Sequence, residues 1–140
     1  MGIEIVWLEV TGPETLGALR QAIRTAHVQA LASVDHPVTA GLDPRIAEIA
    51  LQEQLPTAFP FREAAEAGGL MSYATNIVAL QRRAATYVHR ILNGTEPGNL
   101  PVEQADQFEL VVNLKTAKAL GLKIASGILL QASQVITGPP

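Results

Sequence analysis

The chain has 140 residues and a mass of 14.9 kDa, with 48% apolar, 16% charged and 4% aromatic residues, which is one aliphatic domain's worth of chain and excludes disordered and collagen-like sequences. Ten Lys and Arg against 13 Asp and Glu leave a net charge of −3, so there is no basic footprint for a nucleic acid. The absence of Cys excludes disulfides, thiolate metal sites and cysteine nucleophiles.

Ile3 to Val10 is rich in β-branched residues around Trp7 and stops at Thr11-Gly12-Pro13, the pattern of a strand followed by a turn. The same opening carries acids and no basic residue, so it does not read as a secretory signal, and the chain as written is expected to stay in the cytoplasm. Every hydrophobic stretch is interrupted well before the ~20 residues that a membrane helix needs. Leu16, Leu19, Ala22, Ile23 and Ala26 then recur at helical spacing, predicting a helix from Glu14 to Ala26 with Arg20 and Arg24 off its apolar stripe. Val28 to Val34 is nearly uninterrupted apolar sequence, as in a parallel strand buried on both faces, and ends at Asp35-His36-Pro37.

Asp43-Pro44 supplies an N-cap and a first-turn proline for a second helix whose apolar face is Ile46, Ala47, Ile49, Ala50 and Leu51. Thr57 to Phe61 is a short strand, Arg62 to Ala67 a helical turn or two closed by Gly68-Gly69, and Leu70 to Tyr73 another short strand. Asn76 caps the clearest helix of the sequence, in which Ile77, Leu80, Ala84, Tyr87, Val88 and Ile91 keep helical period and Gly94 terminates the run. Residues 95–107 form a loop, Phe108 to Asn113 a strand, and Asn113 caps a helix from Leu114 to Leu120 that stops at Gly121. The tail, residues 122–140, holds a further short helical pattern within Ile124 to Ile136.

Strands alternating with helices in this way imply βαβ units and a single α/β domain over 1–140, a three-layer αβα sandwich on a mostly parallel sheet. In such sheets ligands bind beyond the carboxyl ends of the strands.

Gly12 to Gly17 has the glycine spacing of a phosphate loop, but Ala18-Leu19 stands where Lys and Ser or Thr must hold phosphate and Mg²⁺. His27, His36 and His89 lie on three different predicted elements without the i, i+4 spacing of a shared zinc, so neither a metal nor another cofactor is implied. Asp35 and His36 are adjacent on an extended segment and point to opposite faces, which disfavours an acid–base dyad, and no serine sits in a G-x-S-x-G elbow. No catalytic residue is assigned. Arg82, Arg83 and Arg90 read as a solvated helix face, whereas Phe59, Phe61 and Tyr73 gather near strand ends, where they either wall a small-molecule site or fill the core.

Three stretches carry a family resemblance: Phe61-Arg62-Glu63 through Glu66 to Tyr73; Arg82-Arg83-Ala84-Ala85-Thr86-Tyr87-Val88 through Ile91 to Gly94; and Leu100 to Gln104 with Phe108 to Leu122. Their order resembles the C-terminal part of the ABC transporter substrate-binding protein family, the tryptophan/aromatic-type solute receptors with a type I periplasmic-binding-protein fold. The resemblance implies one lobe of a two-lobed, non-enzymatic receptor that takes a small solute, such as an aromatic or branched amino acid, and presents it to an ABC permease in the periplasm. It makes Asp35, His36, Phe61, Arg62 and Tyr73 the expected cleft-facing ligand-binding residues. An isolated lobe also leaves apolar sheet edge and helix faces uncovered, which predicts a homodimer. The alternative reading is a free-standing dimeric interaction domain with a vestigial cleft and no transport role.

Overall fold

A computed structural model describes residues 2–138, so Met1 and the closing Pro139 and Pro140 of the predicted tail lie outside the described residues. The elements are α1 (Leu16–Ala26), β1 (Leu31–Ala32), α2 (Pro37–Ala40), α3 (Asp43–Gln52), β2 (Thr57–Phe59), α4 (Arg62–Glu66), β3 (Met71–Thr75), α5 (Ile77–Leu92), β4 (Phe108–Asn113), α6 (Leu114–Ala119), α7 (Ser126–Gln131) and β5 (Gln134–Ile136). The strands form one five-stranded sheet in the order β1-β2-β3-β4-β5. β1 with β2, β2 with β3, and β4 with β5 are parallel pairs. The Asn113 N–H at the end of β4 donates to the Leu70 carbonyl just before β3, and the Asn76 N–H just after β3 donates to the Gln107 carbonyl just before β4. The neighbouring strands β3 and β4 therefore run in opposite directions, and in the first unit the carboxyl ends of β1 and β2 lie on the same edge of the sheet as the start of β5. This is an α/β fold on a mostly parallel sheet, as the alternation of elements predicts.

The chain divides into two compact units, Met1–Tyr73 with Leu110–Pro140, and Ala74–Glu109. In the first, Leu19 and Ile23 of α1, Ile46, Ala47 and Ala50 of α3, Leu55, Phe59 of β2 and Ala64 of α4 make one buried cluster. These are the stripes that helical spacing picks out, and their burial removes apolar area from water. Gly69 is dictated by the same packing, because a Cβ there would meet the Phe59 ring at 2.8 Å and the Ala64 carbonyl at 2.9 Å. In the second unit, the Asn76 side chain accepts from the Ala79 N–H at 2.9 Å and starts α5 as expected. No residue of this 16-residue helix is buried, and Ile77, Val78, Leu80, Val88, Ile91 and Leu92 of its apolar face are exposed.

Several expectations are corrected. Ile3 to Val10 forms no strand: Ile3, Ile5 and Trp7 are exposed, and only Leu8 and Val10 pack against the core. A β-rich sequence still needs a ladder partner, and the edge strand β1 pairs with β2 alone. Val28 to Val34 is not a strand buried on both faces, since pairing extends over Leu31 and Ala32 only and Ala32 is exposed. Asp43 is the first residue of α3 rather than its cap, which is Leu42. The tail adds a strand, β5, that its short helical pattern did not announce.

Asn113 closes the first unit. Its amide Nδ2 donates to the Ala65 carbonyl at 2.8 Å, and its Oδ1 accepts from the Thr116 N–H at 3.1 Å as the cap of α6. Asn113→Ala removes a helix cap and one of the hydrogen bonds to the Ala65 carbonyl, which keeps its backbone partner Gly68 N–H, so the expected loss is about 2 kcal/mol by urea denaturation. At the far end of α3, Arg24 forks onto Glu53 at 2.7 and 2.8 Å and Arg20 adds a contact at 3.3 Å. The Arg24 hydrogen bond, ahead of the arginine charges, holds the Glu53 carboxyl below its ordinary range. A carboxylate depressed in the folded state adds stability above its unfolded pKa and loses it as pH falls through the folded value. Glu53→Gln is therefore expected to lower the melting temperature at neutral pH and to flatten its decline on the acid side, as read by a melting-temperature profile against pH.

Candidate functional site

One edge of the sheet in the first unit carries the five residues that the family resemblance singles out. Asp35 and His36 follow β1, Phe61 and Arg62 follow β2, and Tyr73 lies within β3. β2 is hydrogen-bonded to both β1 and β3, so these residues come to one rim from three neighbouring strands.

His36 is the N-cap of α2, a short helix that the sequence pattern does not announce, and its Nδ1 accepts from the Val38 N–H at 3.2 Å. In that bond Nδ1 is the acceptor. The His36 carbonyl accepts from the Ala40 N–H and the Thr39 hydroxyl, so the residue organises its own loop. Asp35 is exposed, and no hydrogen bond or ion pair joins it to His36 among the described residues. Phe61 is half-buried and caps α4, while Arg62, the first residue of that helix, bonds Glu66 at 3.3 Å and reaches across to the Gln134 side chain at the start of β5. Tyr73, 60% exposed, presents its ring at the rim beside the buried Ser72. Phe59, the third aromatic of this group, is core.

Sequence reasoning missed three residues here. Gln134 was hidden because the tail reads as helix. Ser33 donates its hydroxyl to Asp43 Oδ1 at 2.7 Å, and Asp43 is only 1% exposed with Oδ2 left without a partner. Burial raises the Asp43 pKa above its ordinary value, the Ser33 hydrogen bond opposes the rise, and the nearby Asp35 charge adds to it. The one sequence signal was Asp-Pro at a helix start, which gives the position of the carboxyl and not its burial.

A separate cavity of about 770 Å³ lies within the second unit, between the first half of α5 and residues 103–107, and none of the five rim residues lines it. Within it Arg83 forks onto Glu103, and the Tyr87 hydroxyl donates to the Pro101 carbonyl at 2.7 Å. Among the described residues no group of three or more His, Asp and Glu side chains could hold a metal.

The sequence profile described as "ABC transporter substrate binding protein" matches residues 1–136. The chain belongs to that family. It is a family of binding proteins rather than enzymes, and it works typically outside the cytoplasm. Similar solved structures include a conserved domain protein from Vibrio cholerae (25% identity, TM-score 0.76, covering 90% of this chain and 42% of that one). An ABC domain from Streptococcus pneumoniae in complex with L-Trp matches at 24% identity and TM-score 0.77, covering 91% and 43% of the two chains. A substrate-binding protein with adhesive properties from Clostridium difficile, in a ligand-free open structure, matches at 25% identity and TM-score 0.67, covering 88% and 42%. The chain therefore spans less than half the length of these relatives. No curated protein matches it. Among the described residues no helix is long and apolar enough to cross a membrane.

The hydrogen bond from Val38 makes a structural role for His36 separable from a role in binding. His36→Ala is expected to cost up to about 1 kcal/mol through loss of the cap, with His36→Asn restoring most of it, measured by urea denaturation. Equal stability of the two variants would remove the capping role.

Proposed function

We propose that this member of the family is a solute-binding lobe that takes a small amino acid, aromatic or branched, at the rim formed by Asp35, His36, Phe61, Arg62 and Tyr73. The observation that carries the reading is the profile match over 1–136 together with the gathering of these five residues on one edge of the sheet. The exposed Tyr73 ring supplies a stacking face, Phe61 an apolar wall, Arg62 a cation for a carboxylate and Asp35 an anion for an ammonium group. The L-Trp complex of the Streptococcus pneumoniae domain supports an amino-acid solute by similarity of fold. One rim encloses less of a ligand than the 70–90% that a formed pocket buries, so affinity in the isolated chain is weak. Family membership supports an ABC permease as the partner on the transport side and the periplasm as the compartment.

The second reading, a dimeric interaction domain with a vestigial cleft, is favoured by one observation: Ile77, Leu80, Val88, Ile91 and Leu92 of α5 are exposed. The same face supports a homodimer under either reading.

Light scattering combined with thermal-shift titration of L-tryptophan and branched amino acids separates the two. A receptor lobe gains stability with solute by mass action, about 2.7 kcal/mol at a hundredfold excess over Kd, and Tyr73→Ala removes that gain. A dimer with no solute-dependent shift favours the interaction domain, and a monomer with no shift overturns both readings.

A further inference from the structure

Arg62 opens α4 at the rim, and its half-exposed side chain is a cation offered to a solute. A guanidinium recognises a carboxylate through two parallel N–H bonds in one plane, so its orientation decides whether the pair forms. A long arginine side chain turns freely unless neighbouring groups fix it. What holds Arg62 therefore sets what the rim can read.

Glu66 and Gln134 hold it in different ways. Glu66 lies one turn further along the same short helix, accepts from Nε at 3.3 Å and is itself 47% exposed. A pair of this sort moves with its helix and is screened by water. Gln134 comes from β5, whose start lies on the same edge of the sheet as the end of β2, and its side-chain oxygen accepts from Arg62 Nη2. The backbone there is fixed. Gln134 stands opposite the buried Val111 in the parallel pair of β4 with β5. The residue before it is fastened to Leu110 twice: Ser133 N–H donates to the Leu110 carbonyl at 2.8 Å, and Leu110 N–H donates to Ser133 Oγ at 3.3 Å. Gln134 thus ties the guanidinium to the sheet, whereas Glu66 ties it only to α4.

We propose that Gln134 is a positioning residue for carboxylate recognition: from β5 it fixes the Arg62 guanidinium at the rim with a neutral oxygen, and the site thereby selects solutes that carry a carboxylate. The proposal rests on the reading of the rim as an amino-acid site.

The neutrality of that oxygen is what makes the contact selective. A carboxylate at position 134 would form an ion pair with the guanidinium and compete with the solute for the same charge. An amide oxygen accepts the hydrogen bond and brings no charge, so Arg62 is oriented without being neutralised from that side. Glu66, with one long bond in water, is a weak competitor. Orientation before binding removes side-chain entropy that the complex would otherwise lose, which raises affinity for the group at which the guanidinium is aimed. Solutes without a carboxylate gain nothing from it, so the contact discriminates as well as strengthens.

The test uses the full chain with two variants. Gln134→Met keeps the length of the side chain and removes the acceptor, and Gln134→Glu keeps an acceptor and adds charge. Without ligand, the NMR order parameter of Arg62 Nε–H, assigned by its loss in Arg62→Lys, is expected at about 0.85 in the wild type and in Gln134→Glu, and below about 0.6 in Gln134→Met. Thermal-shift titration then compares L-tryptophan with tryptamine, which lacks the carboxylate. The wild type is expected to bind L-tryptophan about tenfold more tightly, the effect of one hydrogen-bonded charge pair. Gln134→Met abolishes that preference by weakening L-tryptophan alone, and Gln134→Glu abolishes it although Arg62 stays ordered. The proposal is overturned by a Gln134→Met chain in which Arg62 remains ordered or both solutes weaken equally, and by a Gln134→Glu chain that keeps the preference. Should Gln134→Met not fold, Gln134→Ala takes its place with the same expectations. A wild-type chain that binds neither solute overturns the receptor reading and the selectivity with it. Binding of L-tryptophan that Gln134→Met leaves unchanged overturns the positioning role alone, so the two fail separately.

Discussion

A buried carboxamide must find partners for both its ends, and the first unit is arranged around one that does. Asn113 is 3% exposed, yet its backbone N–H meets the Leu70 carbonyl, its Nδ2 the Ala65 carbonyl and its Oδ1 the first turn of α6. One residue thereby joins the end of β4, the approach to β3, the end of α4 and the start of α6. Each bond alone is worth about 1 kcal/mol, but leaving any of these groups dry and unpaired costs more, so the geometry is over-determined. Thr116, one turn into α6, adds a bond from its hydroxyl to the Gly68 carbonyl, and the Thr57 hydroxyl accepts from the Leu70 N–H. A short polar network thus fixes where β3 and β4 lie, and with them the rim.

The rim inherits its precision from strands only two to five residues long in β1 to β3. Such strands hold a loop by where they end. His36 and Phe61 each sit at the cap of a short helix, so the backbone at these two rim residues is set by helix initiation. Arg62 gains a second support from Gln134 at the head of β5, which reaches the same edge because β4 and β5 run against the first three strands.

Where the chain's own chemistry acts over a few residues, the sequence was a sound guide. Asn76 and Asn113 stand before apolar periodic runs and both cap helices, and Gly94 and Gly121 end those helices with positive φ. The stripes of α1 and α3 are the core. Where the outcome depends on a distant partner, it was not legible. Ile3 to Val10 has a strand's composition and no strand to pair with, and Val28 to Val34 looks doubly buried but meets a neighbour over two residues. β5 was concealed by a helical pattern, and only its pairing with β4 makes Gln134 to Ile136 a strand. Of the site, the five rim residues were identified through the motifs of a family, and their convergence follows from strand order. Asp43 was missed because burial of a carboxyl is a property of the packing around it.

The hydrogen bond between Asn76 and Gln107 sits at the neck of the excursion that holds α5. Antiparallel neighbours such as β3 and β4 need only a tight turn between them, so the sheet itself has no requirement for the intervening 30 or so residues. Loop closure penalises such length only logarithmically. The excursion is therefore modular in the evolutionary sense: its sequence can be exchanged, lengthened or retuned with little consequence for the ladder that closes it. Selection on α5 then answers to whatever its apolar face meets, while selection on the strands answers to the fold.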